Sequence, residues 1–75
     1  MELEEFVKYF AELFDDTDPS EIKADTAFHE LDEWGSLIAM GVIALAKTKY
    51  GKTITGKEIK ACETVVDLYH TIASK

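Results

Sequence analysis

Side chains able to do chemistry near neutral pH are few in this sequence. Those that stand out are Ser36, the single cysteine Cys62 and the histidines His29 and His70, set among 15 carboxylates and eight lysines. A serine becomes a nucleophile only beside a positioned base. Nothing adjacent to Ser36 qualifies, and His29 lies seven residues upstream. The run Gly35-Ser36-Leu37-Ile38 lacks the second glycine of a nucleophile elbow, and neither a glycine-rich phosphate loop nor an HExxH pair is present. One cysteine rules out an internal disulfide and a CxxC metal site, and its neighbours Ala61, Val65 and Val66 mark it as a small buried side chain. His29 reads as a loop residue, and no metal site is expected. The acids cluster as a solvated face, so an enzyme in its own right is not expected.

What Ser36 has is position. Leu31-Asp32-Glu33-Trp34-Gly35 leads up to it, and the longest apolar run, Leu37 to Ala46, follows. A serine where a loop becomes a helix is commonly an N-cap, its hydroxyl accepting from unpaired backbone N–H groups. The same place suits a phosphate ester, because free N–H groups and the positive helix end favour an anion by about 0.3–1 kcal/mol. Gly35 leaves the approach open. The site is suited to carry a phosphate and not equipped to install one.

The elements that must position this serine follow from periodicity. Residues 2–14 predict an amphipathic helix, with Leu3, Phe6, Val7, Phe10, Leu13 and Phe14 on one face and Glu2, Glu4, Glu5, Lys8 and Glu12 on the other. Asp15-Asp16-Thr17-Asp18-Pro19 stops it. A long connection follows, with one helical turn over 19–22 capped by Asp18, a second turn over 24–28, and Ile22, Phe28, Leu31 and Trp34 as apolar anchors. Residues 36–50 predict the longest helix, ending at Gly51 with Lys47 and Lys49 in its last turn. Its apolar run has no polar side, so some of Ile38, Gly41, Val42 and Leu45 are expected at the surface as a partner-facing strip. Gly41 there would permit close approach of another backbone.

Beyond Gly51, Ile54 anchors a short extended connection. Thr55 is placed to cap a short helix over 57–61 that carries Ile59 inward. Thr64, with Asp67 three residues on, caps a last helix whose inner stripe is Val65, Leu68, Tyr69 and Ile72. No strand or repeat is visible. The expected fold is all-α: one domain over residues 1–75, a small antiparallel bundle of three long helices and one short, with a long loop between the first two main helices.

Seventy-five residues leave little room for a deep water-excluding cavity. The net charge is −7, and the first 36 residues hold 12 of the 15 acids against two lysines. That balance argues against nucleic acid and anionic membranes and suits a basic partner surface. The apolar run is too short to cross a bilayer, and Met1-Glu2-Leu3-Glu4-Glu5 is acidic where a secretory leader is basic. The cytoplasm is therefore expected, without membrane insertion.

Taken together, the opening helix, the acidic loop, Leu31 to Leu37 leading into the second helix, Tyr50-Gly51, Ile54 and Thr64-Val65-Val66-Asp67-Leu68 resemble an acyl carrier protein over the whole chain. In that family the second helix is preceded by Asp-Ser-Leu, and the serine receives 4′-phosphopantetheine from coenzyme A through a magnesium-dependent transferase. The resemblance implies that Ser36 is the attachment serine and Leu37 the leucine after it. Cargo would then travel as a thioester on the arm's sulfur, not on Cys62. Gly35 stands where the family has aspartate, which removes an acidic contact for the transferase. The second helix also lacks the family's acidic outer face, which implies a specialised carrier with partners that read a more apolar helix. Glu33, Trp34, Gly35, Leu37, Ile38 and Gly41 are the expected partner-binding residues. The expected partners are a phosphopantetheinyl transferase and acyl-transferring or acyl-modifying enzymes of fatty-acid, polyketide or specialised metabolism, with the carrier a monomer. An acyl chain would insert against Met40, Ile43, Ile54, Ile59 and Val65. Two alternatives stand beside this: an unmodified helical adaptor or regulatory protein, and a peptidyl or aminoacyl carrier.

Overall fold

In the computed structural model, which describes residues 2–75, the chain forms four α-helices around one core. They are α1 (Leu3–Ala11), α2 (Ser36–Tyr50), α3 (Gly56–Ala61) and α4 (Val65–Ala73). Among the described residues there is no strand, only an isolated bridge between Ala27 and Thr64. The all-helical class is as the patterning predicts.

The α1 stripe buries Phe6 and Phe10 completely. The helix stops at Ala11 rather than at 14, because the chain tightens there: Leu13 N donates to Phe10 O and Phe14 N to Ala11 O, each at 3.1 Å. Phe14 still reaches the core. The rings form a chain across the interior, Phe10 lying 5.3 Å from Phe14 and 5.7 Å from Phe28, with Trp34 4.7 Å from Phe28. Val42, Ile54, Ile59, Val65, Leu68 and Ile72 complete the core from the other elements. Each fully buried side chain of this size contributes about 1.5–3 kcal/mol.

The long connection is pinned rather than loose. Asp18 caps a single 3₁₀ turn at Pro19–Glu21 by accepting from Ser20 N at 2.9 Å, and Ile22 and Phe28 drop into the core. Its middle is stitched to the start of α4: Val65 N donates to Thr26 O at 3.1 Å and Val66 N to Ala24 O at 2.8 Å. Thr64 and Asp67 form the expected capping box on that helix, so each of its first N–H groups has a partner.

α2 ends in a left-handed glycine turn, with Gly51 N donating to Lys47 O at 3.1 Å. Gly51 takes the left-handed conformation at φ 64°, and Lys52 N reaches back to Ala46 O at 3.0 Å. The orientation of α2 corrects the expected surface strip. Ile38 is only 8% exposed, and Val42, Leu45 and Ala46 are buried with it. Gly41 faces Leu13, whose side chain would lie 3.2 Å from an added Cβ, so the close approach is that of a side chain within the domain. The exposed apolar residues are instead Leu37 at 81% and Met40 at 66%, followed by Ala44. A helix apolar on all sides carries no internal signal of which stripe faces inward. The choice falls to the aromatic core and α1, which take the stripe 38, 42, 45.

Candidate functional site

Ser36 is the first residue of α2, and the cap position falls one residue earlier, on Gly35. Gly35 is fully extended (φ −175°, ψ −172°), and its carbonyl accepts the first helical bond from Ala39 N at 3.0 Å. The Ser36 side chain is therefore released from the capping role that its type suggests. It is exposed and has no hydrogen-bond partner among the described residues.

The N-terminus it stands on differs from the other three. α3 and α4 are closed by threonine capping boxes, with Glu58 and Asp67 in their first turns, and α1 carries Glu4 and Glu5 there. α2 has neither a side-chain cap nor an acid in its first turn. Its positive end and its first N–H groups are thus unanswered by protein. An anionic group on Ser36 would meet both.

Glu33 holds the approach to this serine in place. Its carboxylate accepts from Asp15 N at 2.7 Å, Asp16 N at 3.0 Å, and both N and Oγ1 of Thr17 at 2.9 Å. The turn after α1 thereby forms a nest of donors around one side chain from the loop before α2. Burial pushes the Glu33 carboxyl up, but the hydrogen bonds from Asp15, Thr17 and Asp16 outweigh it and hold it below the ordinary glutamate value. Glu33 was expected to face a partner; its carboxylate is instead engaged within the domain.

Trp34 likewise packs inward, its ring against Phe28 and Phe10, with an edge left on a groove beside Ser36. The groove runs between α2 and α3 and encloses about 730 Å³. Ala39, Met40 and Ile43 supply its apolar surface with the buried Ile59 at its floor, and Gly35 and Ser36 lie along it. Of the residues expected against an inserted chain, Met40 and Ile43 line this groove with the buried Ile59 at its floor, while Ile54 and Val65 lie in the core. His29 forms part of the wall. Its Nε2 lies 2.9 Å from Cys62 O and 3.3 Å from Ile59 O, so it ties the loop to the carbonyl end of α3. Cys62 itself is buried, with Sγ 3.3 Å from Glu58 O. Among the described residues no three metal-ligating side chains converge.

Of the six residues expected to contact partners, half-buried Gly35 and exposed Leu37 flank Ser36, while Glu33 and Trp34 hold the loop and Ile38 and Gly41 face inward. Met40, one turn beyond Leu37, is the exposed residue that sequence reasoning missed. Comparison with family models, with curated proteins and with solved structures found no match.

Proposed function

We propose that this chain is a specialised acyl-carrier-type domain, an antiparallel bundle that carries 4′-phosphopantetheine on Ser36 and presents cargo as a thioester. The observation that carries the reading is the unanswered N-terminus of α2 with an exposed, unpartnered serine as its first residue. A phosphodiester on Ser36 Oγ would supply the missing negative charge where it is most favourable, worth about 0.3–1 kcal/mol at an exposed helix end. Three features fit around it. Gly35 leaves open space, with nothing within 4 Å of an added Cβ. Glu33 fixes the loop three residues before the serine. The α2–α3 groove gives an attached chain an apolar surface beside the attachment point.

In this role the domain performs no chemistry on its cargo. The arm's thiol bears the acyl group, and the protein's residues orient the arm and offer Leu37 and Met40 as apolar contacts to a transferase and to acyl-handling enzymes in the cytoplasm. Incubation with coenzyme A, magnesium and a broad-specificity phosphopantetheinyl transferase, followed by intact-mass measurement, tests the reading. The expected result is the mass gain of one arm, abolished in Ser36→Ala. No gain, or one that persists in Ser36→Ala, refutes it. The second reading, an unmodified adaptor, draws on Gly35 and on the exposed pair Leu37 and Met40. It requires partner binding that survives Ser36→Ala.

A further inference from the structure

The groove beside Ser36 has a charge that runs against the rest of the chain. Acids outnumber lysines 15 to 8 in the sequence, yet the carboxylates are missing from this lining and Lys57 and Lys60 are present. The two lysines are three residues apart on α3 and so share a face of that helix. Glu58, the acid between them, is engaged elsewhere: it closes the Thr55 capping box and pairs with Lys75. Neither groove lysine has an ion pair among the described residues. Near them the other polar ring, His29, spends its Nε2 on the α3 carbonyls.

An apolar trough with a cationic rim matches a molecule with an apolar body and an anionic end. We propose that the α2–α3 groove takes an amphiphilic anion, its chain along Ala39, Met40 and Ile43 over the buried Ile59 and its carboxylate or phosphate against Lys57 and Lys60. The volume of about 730 Å³ lies within the range of small-molecule sites. Resting on the carrier reading, this narrows what the arm brings to the groove. The anion is either the distal carboxylate of a dicarboxylic acyl cargo or the phosphodiester of the arm itself.

The charge preference is tested first on the unmodified chain. Amide chemical shifts are followed while sodium decanoate, decyl phosphate or the uncharged decanol is titrated in. Shifts at residues 39–43 and 56–60 are expected with all three. Both anions should bind roughly two- to thirtyfold tighter than decanol, the scale of two exposed charge contacts. The double variant Lys57→Met/Lys60→Met should erase that preference and retain decanol. Equal affinity for decanol and decanoate, or a preference that survives the double variant, overturns the proposal. This arm needs no modification of Ser36, so a failure of Ser36 to accept phosphopantetheine refutes only the carrier reading. Forms loaded with the bare arm, pentanoyl-arm or glutaryl-arm then separate the sources. Shifts at 57–60 already in the bare-arm form assign the anion to the phosphodiester, and shifts confined to the glutaryl form assign it to cargo. No lysine-dependent shift in any loaded form overturns it for the carrier.

Discussion

Replacing Gly35 with aspartate should stabilise the fold, and the size of the gain follows from its surroundings. The residue is extended, a conformation open to any side chain, and an added Cβ meets nothing within 4 Å. Three contributions favour Gly35→Asp. A side-chain cap on α2 in place of glycine adds a few tenths of a kcal/mol. Loss of glycine's freedom in the unfolded chain adds about 0.4–1 kcal/mol. A carboxylate at an unanswered helix end adds about 0.3–1 kcal/mol. Against these, Asp15 and Glu33 line the same small hollow as Gly35 and repel a new anion. The net is about 1 kcal/mol, and in a domain of this size that raises the thermal midpoint by about 4–8 °C. Circular dichroism melts at pH 7 measure it, with Gly35→Ala as the variant that removes glycine but cannot cap. An aspartate variant no more stable than the alanine variant would refute the account of an open α2 terminus. Near pH 3 the advantage should shrink, since a protonated side chain no longer opposes the dipole. Under the carrier reading the same substitution also speeds transfer of the arm by common transferases, and an unchanged or slower rate counts against the role assigned to Gly35.

Gly51→Ala forces a side chain into the left-handed turn at φ 64° and should cost about 1–2 kcal/mol, read as a lowered denaturation midpoint at unchanged slope. Ser36→Ala removes an exposed hydroxyl that caps nothing, so stability should stay within about 0.5 kcal/mol of the parent while arm attachment is lost. Thr64→Ala opens the α4 capping box and should cost about 1 kcal/mol in urea or thermal unfolding. Acid should destabilise the domain: Asp18, Glu33, Glu58 and Asp67 are all held below their ordinary values. Stability from such groups is present above the normal carboxyl range and is lost as pH falls through their lowered values, below about pH 4. Glu33→Gln should flatten that loss in melts between pH 7 and pH 3, and an unchanged acid profile would show that the nest around Glu33 has no energetic role.

Much of the architecture was legible because its signals are local. Asp18-Pro19, Thr64 with Asp67, and Gly51 each specify a terminus within a few residues, and all three fall where expected. The box of Thr55 and Glu58 has the same spacing and was readable in the same way, though only its threonine was singled out. The facing of α2 was not legible. Leu37 and Ile38 are equally apolar, and only the packing of α1 and the aromatic chain decides that one is exposed and the other buried. The role of Glu33 was hidden for a related reason. Its donors lie 16 to 18 residues upstream, so no local spacing announces them. Ser36 was singled out by position, but its release from capping depends on the backbone of Gly35.

The two bonds from Val65 and Val66 to Thr26 and Ala24 give the molecule a built-in reporter. They close a span of about forty residues, so opening of the connection at Ala24 and Thr26 is expected to break contacts of the first turn of α4 as well. A partner that draws this connection away from the body must also free those two amides. Their hydrogen exchange, far along the chain from the serine, would accelerate with the strength of the pull and register each engagement at a distance.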